Sequence, residues 1–227
     1  MAKPEKRLVI AIDGPAGAGK STIARLVAER LGYVHISTGL MYRALTLKAL
    51  RLGIDVEDAG RLTELARNTT IEIVRDPSGE MRAILDGEDV TGDLTSPRVN
   101  INVSPVSKVA GVRTILTAQQ RELARSGGVV MDGRDIGTVV LPDADVKIFL
   151  TASLEERTAR RLAQLREEGR AVEWDDVYQE LLMRDKIDSG RAIAPLMPAR
   201  DAVIVETTGK SVDEVLDEVL GLIENRP

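Results

Sequence analysis

The stretch Gly14-Pro15-Ala16-Gly17-Ala18-Gly19-Lys20-Ser21, followed by Thr22, decides the fold. It fits the pattern G-x-x-x-x-G-K-[S/T], whose glycines let the backbone curl until several amide N–H groups converge on one phosphate. In this pattern the lysine reaches the β- and γ-phosphates of a nucleotide, and the serine hydroxyl ligates Mg²⁺. The sequence therefore predicts a nucleoside-triphosphate site over residues 14–22, with Lys20 on the phosphates and Ser21 as the metal ligand.

The segments around this loop have the form that such a site requires. Leu8–Ile12 is a continuous apolar run and predicts a buried strand, and Lys20–Leu31 carries apolar residues at helical spacing. Similar apolar runs predict four more strands, Tyr33–Ile36, Val129–Met131, Val146–Leu150 and Ala202–Val205. Continuously apolar strands alternating with helices favour a parallel sheet covered on both faces, which places the chain in the α/β class.

Two later helices are predicted from their N-terminal caps. Ser153 with Glu156, and Ser211 with Glu214, both fit the capping box, in which the serine and the glutamate satisfy each other's amide groups. The apolar stripe of the last helix predicts that it packs against the sheet.

The middle of the chain departs from this alternation. Residues 69–74 and 81–85 alternate with period two around a turn at Asp76-Pro77-Ser78-Gly79, which predicts an antiparallel hairpin. We therefore expect residues 56–104 to be an insertion into the parallel core. The polar segment 166–170 fits a mobile lid and equally fits an ordinary solvated helix face.

Composition excludes several classes of protein. Only 2% of the 227 residues are aromatic, with Trp174 and Phe149 as single copies, which argues against base stacking on aromatic platforms. The net charge of −5 disfavours a generally basic nucleic-acid surface. Cysteine is absent, and no apolar run approaches the ~18 residues of a membrane span. We expect a cytoplasmic protein that binds neither nucleic acid nor membranes.

A guanine-reading N-K-x-D segment is also absent, and a molecular motor would be longer, so a small transferase remains. Such an enzyme needs cations around the transferring phosphate. Arg134 and Asp135 follow a predicted strand at its carboxyl end, where they fit a ligand clamp better than a surface ion pair. Arg184, Asp188 and Arg191 are spaced i, i+4, i+7. If the helix predicted over 176–189 continues that far, they share one face, as a nucleotide site or as an exposed ladder.

Three further features of the sequence bear on the site. Arg157, Arg160 and Arg161 line one side of the helix after Ser153, and either contact phosphates or pair with Glu156. Ser104-Pro105 has the form of an N-cap followed by proline at the first helical position. The single histidine, His35, ends a predicted strand, and we assign it no catalytic role.

Five stretches of the chain resemble the cytidylate kinase family, the (d)CMP kinase branch of the nucleoside-monophosphate kinases. They are Ile12–Thr22, Ser37–Arg43, Gly87–Val90, Asp132–Val140 and Arg191–Leu196. The phosphate loop is common to many families, whereas the runs GRDIGTVV and RAIAPL at this separation are much more specific. The resemblance extends over nearly the whole chain.

The resemblance implies a three-layer P-loop kinase core with a parallel sheet, a small α+β monophosphate-binding insertion and a short lid. It divides the chain into a core over about 1–55, 105–156 and 190–227, the insertion over 56–104, and a lid with flanking helices over 157–189. It implies Mg²⁺-dependent transfer of the ATP γ-phosphate to CMP or dCMP. We expect the protein to be a monomer.

The resemblance also implies roles for single residues. The predicted catalytic residues are Lys20, Arg134, Arg184, Asp188 and Arg191. The predicted ATP contacts are residues 14–22 with Arg157 and Arg161. Ser104, Arg113 and Asp135 would contact the cytosine, and Arg184 and Asp188 the sugar hydroxyls. Thr38, Tyr42, Arg43, Arg134 and Arg191 would surround the acceptor phosphate. The alternatives are a P-loop kinase of another small acceptor (UMP, AMP or a sugar acid) and a regulatory module that binds ATP without transferring it.

Overall fold

A computed structural model describes residues 7–76 and 81–226. The elements in chain order are β1 (Val9–Asp13), α1 (Lys20–Leu31), β2 (Val34–Ser37), α2 (Thr38–Arg51), α3 (Ala59–Arg67), β3 (Ile71–Arg75), β4 (Met81–Leu85), β5 (Glu88–Asp89), α4 (Pro97–Lys108), α5 (Ala110–Ala124), β6 (Val129–Gly133), β7 (Val146–Thr151), α6 (Leu154–Glu167), α7 (Trp174–Ser189), β8 (Val203–Glu206) and α8 (Val212–Glu224). The chain forms two compact units, one of residues 7–36 with 124–226 and one of residues 37–123.

The first unit contains a five-stranded sheet in the order β2-β6-β1-β7-β8. β1 pairs in parallel with both β6 and β7, and β7 pairs in parallel with β8. All five strands predicted from apolar runs are present, which confirms the α/β class. Their bounds differ from the predicted ones by one or two residues, because backbone pairing continues past the apolar positions.

Successive side chains of β1 point to opposite faces of this sheet. Ile10 and Ile12 belong to a buried cluster that also contains Val27 of α1, whereas Ala11 belongs to a different cluster with Met131 of β6. α8 buries Val215, Leu216, Val219 and Ile223 in the same cluster as Ile10. The prediction that the last helix packs against the sheet is confirmed.

The predicted caps are only partly correct. The box at Ser211 is complete, since Ser211 Oγ accepts from the Glu214 N–H and the Glu214 carboxylate accepts from the Ser211 N–H. At the start of α6 only the Ser153 side-chain bond is present. Glu156 instead pairs with Arg160 at 2.9 Å, so the ion pair takes the carboxylate that the box would need.

The second unit contains the predicted hairpin, β3 paired antiparallel with β4, and a third strand, β5, that sequence patterning does not predict. The turn predicted at Asp76-Pro77-Ser78-Gly79 lies, beyond Asp76, outside the described residues. The predicted insertion over 56–104 falls within this unit. Two buried clusters form the core of this unit, one that includes Met41 and Leu45 of α2 and one that includes Leu94 and Val99.

The helix start predicted at Ser104-Pro105 is wrong. Both residues lie inside α4, which begins with Ser96 at its N-cap and Pro97 at its first position. Proline suits the first position because the N–H that it lacks would have no partner there in any case. The same Ser-Pro signal occurs twice in this segment, and the earlier copy is the one that starts the helix.

The helices of the described residues include none that is both long and apolar enough to span a bilayer.

Candidate functional site

The loop between β1 and α1 has the glycine conformations that its sequence predicts. Gly14, Gly17 and Gly19 have φ of 148°, 79° and 85°, a region in which a side chain would be strained. Lys20 is the first residue of α1, and its buried Nζ donates to the Pro15 carbonyl oxygen at 2.7 Å. Backbone amides at a helix N-terminus together with a lysine form an anion-binding site. Pro15, Ala16 and Ala18 lie in the same loop, and Ser21 and Thr22 in the first turn of α1.

The charge on Lys20 is costly in this structure. Burial lowers the pKa of Lys20 well below its ordinary value, and the nearby positive charge of Arg134 lowers it further. Asp132 acts in the opposite direction, and Arg184 adds to the lowering. A polyanion bound at the loop would offset the repulsion between Lys20 and these two arginines.

Asp132, at the carboxyl end of β6, accepts two side-chain hydrogen bonds. Its Oδ2 accepts from Ser21 Oγ at 2.9 Å, and its Oδ1 lies 2.7 Å from Nε2 of His35. Burial raises the pKa of Asp132, but the hydrogen bond and charge of His35 and the charge of Lys20 more than offset this, and the pKa is below its ordinary value. Sequence reasoning gives Asp132 no role, although a polar residue directly after an apolar strand is a usable signal.

Asp13, at the carboxyl end of β1, is a second residue that sequence reasoning misses. It is 3% exposed, and its two oxygens accept from the backbone N–H groups of Ile136 at 2.8 Å and Gly137 at 2.7 Å. Burial raises its pKa to about 6, even though these hydrogen bonds lower it. The carboxylate therefore connects the start of the phosphate loop to the π-helical turn that follows Arg134 and Asp135.

The half-buried Arg134 and the buried Asp188 and Arg191 form one group. Arg134 Nε donates to Asp188 Oδ2 at 2.8 Å, and Arg191 Nη2 lies 3.3 Å from Asp188 Oδ1. α7 ends at Ser189, so Arg191 does not continue the helix and reaches Asp188 from the following loop. Burial raises the pKa of Asp188, and the charges of Arg134, Arg191 and Arg184 lower it below its ordinary value.

The structure therefore excludes an exposed ion-pair ladder at Asp188 and Arg191, and a surface ion pair between Arg134 and Asp135. Asp188 is 3% exposed and Arg191 is 9% exposed, which is incompatible with an exposed ion-pair ladder. Asp135 is 4% exposed, and Arg134 pairs with a residue on another element rather than with its neighbour.

The three arginines of α6 have different surroundings. Arg157 is buried and donates to the carbonyl oxygens of Ala152 and Ala16, both at 3.1 Å, while its Nη2 lies 2.7 Å from Asp185 of α7. Arg160 pairs with Glu156 as the alternative reading expects, and also bonds to Thr207. Arg161 bonds to Gln164. Contact of Arg157 and Arg161 with ATP stays a prediction.

The other predicted contacts belong to the second unit. Thr38 and Ser104 are buried. Arg43 donates to the Leu94 carbonyl oxygen at 2.8 Å and to Asn100. Arg113 and Tyr42 lie together, with the guanidinium carbon 5.5 Å from the centre of the phenol ring. Arg113 also donates to the Ser107 carbonyl oxygen.

A phosphate loop at the end of a mostly parallel sheet, with arginines close to its lysine, defines the class of P-loop kinases. A solved structure of an uncharacterized protein from Eubacterium ventriosum has a similar fold, with a TM-score of 0.53 over 97% of this chain and 100% of that one. The two sequences are 14% identical, so this likeness concerns the fold alone.

Residues 10–225 match the protein-family model described as cytidylate kinase. A cytidylate kinase of Symbiobacterium thermophilum is 54% identical over 215 residues, covering 95% of each chain. A cytidylate kinase of Bacillus licheniformis is 47% identical over 222 residues, covering 98% of each. The chain belongs to the cytidylate kinase family, and it is a kinase, that is, a phosphotransferase.

Proposed function

We propose that the chain transfers the γ-phosphate of ATP to CMP or dCMP, with Mg²⁺ as cofactor. The observation that carries this proposal is the grouping of two arginines around the buried lysine of the phosphate loop. Arg134 and Arg184 both act electrostatically on Lys20, and Arg134 also pairs with Asp188. Phosphoryl transfer needs such a field, because negative charge spreads over the oxygens of the transferring group.

The phosphate loop would hold the donor nucleotide. Its amides and the N-terminus of α1 would bind the β-phosphate, and Lys20 would leave the Pro15 carbonyl to reach the β- and γ-phosphates. The Ser21–Asp132 pair offers only oxygen atoms, which are the donors that Mg²⁺ prefers. Residues 7–76 and 81–226 contain no group of three His, Asp or Glu side chains arranged for a metal, so Ser21 and the nucleotide phosphates would hold the ion. Bound Mg²⁺ would withdraw charge from the phosphate oxygens.

The acceptor would meet the group around Asp188. Arg134 and Arg191 both contact this carboxylate, which orients their guanidinium groups. We expect both arginines to bind the acceptor phosphate, and Arg184 with Asp188 to bind the sugar hydroxyls. We expect Ser104, Arg113 and Asp135 to read the cytosine, since matched buried polar partners reject other bases strongly. Thr38, Tyr42 and Arg43 are proposed as further phosphate contacts.

An assay of ADP formation tests this function across CMP, dCMP, UMP, AMP and a sugar acid. The proposal expects kcat/KM for CMP or dCMP to exceed that for AMP and the sugar acid by about 100-fold or more. A preparation carrying Lys20→Met controls for contaminating kinases. Equal turnover of all acceptors, or turnover of none, would contradict the proposal. We further propose that the protein acts as a monomer in the cytoplasm, which sedimentation and fractionation would check.

A further inference from the structure

His35 lies in the middle of β2 and is connected to the phosphate loop through one residue. Its Nε2 is 2.7 Å from Asp132 Oδ1, and Asp132 Oδ2 accepts from Ser21 Oγ at 2.9 Å. The histidine and aspartate side chains are each 5% exposed. Three residues from three different elements, β2, β6 and α1, thus form one hydrogen-bonded chain that ends at the first turn of α1.

The direction of these hydrogen bonds follows from the chemistry of the groups. An ionised carboxylate only accepts, so the Nε2 atom of His35 carries a hydrogen and donates it to Asp132. The Ser21 hydroxyl has one hydrogen, and it donates that hydrogen to the other oxygen of Asp132. The lone pairs of Ser21 Oγ therefore point away from Asp132. Within the described residues, Nδ1 of His35 has no hydrogen-bond partner, so Nε2 is the only polar connection of this ring.

We propose that His35 is a positioning residue which, by holding Asp132, fixes the Ser21 hydroxyl in the orientation that a nucleotide-bound divalent cation requires. This inference rests on the proposed function, because the cation arrives with the nucleotide. His35 contacts one oxygen of the carboxylate, and the other oxygen accepts from Ser21. Without the bond from His35, Oδ1 of Asp132 loses this contact, and a resulting shift of Oδ2 would let the Ser21 hydrogen turn toward the cation and weaken its binding.

The test measures binding of Mn²⁺, as a paramagnetic substitute for Mg²⁺, to the complex of the full-length protein with ADP. His35→Leu removes the donor, whereas His35→Gln keeps an amide N–H near the position of Nε2. Residues directly bonded to a metal ligand change metal affinity about 10- to 100-fold when they are removed. His35 is one residue further away, so we expect His35→Leu to weaken Mn²⁺ binding about 3- to 10-fold. His35→Gln should restore it.

Two further measurements separate positioning from a merely structural role. ADP binding without a divalent cation should be the same in wild type and in both variants, because the histidine does not contact the phosphate loop directly. A lower Tm with unchanged Mn²⁺ affinity would show that His35 only stabilises the fold, and would overturn the proposal. Equal weakening in His35→Leu and His35→Gln would overturn it as well.

If His35→Leu fails to fold, His35→Asn replaces it, since its amide is one methylene too short to reach Asp132. The proposal then requires weaker Mn²⁺ binding in His35→Asn than in His35→Gln, and equal affinities would refute it. Failure of the proposed function has a different signature, namely a wild-type protein that does not phosphorylate CMP or dCMP. The Mn²⁺ measurements do not depend on the acceptor, so the two outcomes remain distinct.

Discussion

Arg134 and Asp188 are 54 residues apart in the sequence, and Nε of the arginine donates to Oδ2 of the aspartate over 2.8 Å. This contact joins the turn after β6 to α7. Because Arg191 shares the same carboxylate, one aspartate determines the orientation of two guanidinium groups. Contacts within the protein thus hold both guanidinium groups, which limits the side-chain ordering that ligand binding would require.

Asp188→Ala removes this shared carboxylate. We expect KM for CMP to rise about 10- to 100-fold, or kcat to fall by a similar factor, because Arg134 loses the acceptor of its Nε and Arg191 loses its ion pair. Arg191 keeps the bond from its Nε to the backbone carbonyl oxygen of residue 188. KM for ATP should change little. Steady-state kinetics with each substrate varied in turn measures this difference. A rise in the KM for ATP alone would mean that the group around Asp188 does not serve the acceptor.

Lys20→Met removes the cation of the phosphate loop. We expect kcat to fall by about 10²- to 10³-fold or more, since the lysine stabilises charge that develops during transfer. Stability should be equal or higher, because burial lowers the pKa of Lys20 and its charge therefore opposes folding at neutral pH. Urea denaturation checks the second expectation. A Lys20→Met variant with undiminished kcat would show that Lys20 is not part of the ATP site.

Asp13→Asn should change how stability depends on pH. Burial raises the pKa of Asp13 from 3.8 to about 6, so the folded protein holds this proton more tightly than the unfolded chain does. The resulting stabilisation is complete below the unfolded pKa and is lost as the pH rises through about 6, with a size of about 3 kcal/mol.

The asparagine variant lacks this titration. Its free energy of unfolding, minus that of wild type, should therefore increase by about 2.4 kcal/mol between about pH 4 and pH 7. The difference between the two proteins matters here, because Asp132 and Asp188 have lowered pKa values and act in the opposite direction in both. Parallel curves for the two proteins would contradict the assignment.

Gly14→Ala and Gly19→Ala form a matched pair. Both glycines have positive φ, so both alanine variants are strained by about 1–2 kcal/mol. A Cβ on Gly14 would in addition overlap the carbonyl oxygen of Leu150 on β7, whereas a Cβ on Gly19 meets nothing within 4 Å. We expect Gly14→Ala to lower the free energy of unfolding by at least about 2 kcal/mol more than Gly19→Ala. Equal losses would show that backbone conformation alone requires glycine at residue 14.

The parallel sheet could be predicted because its five strands are continuous apolar runs, and such runs signal burial on both faces. β5 could not be predicted, since Glu88–Asp89 is short, charged and exposed. It becomes a strand only because the edge of β4 offers it hydrogen-bond partners. The helix start predicted at Ser104-Pro105 is wrong for a related reason. A Ser-Pro pair is a local signal, and it does not show that packing keeps α4 continuous past Pro105.

The candidate site likewise has one part that the sequence predicts and one part that depends on tertiary structure. The loop over residues 14–22 is a local motif, so the sequence alone predicts it. Whether Asp188 and Arg191 are buried or form a surface ladder with Arg184 depends on tertiary packing, which spacing does not reveal. Asp13 and His35 gain their partners only when the sheet brings β1, β2 and β6 side by side.

Trp174 is the first residue of α7 and the only tryptophan of the chain. Its side chain is 39% exposed, so its surroundings include both protein and solvent. Selective excitation of the indole therefore yields a label-free optical signal from the helix that carries Arg184 and Asp188. Rapid-mixing fluorescence could use this signal to time events at that helix during a single turnover.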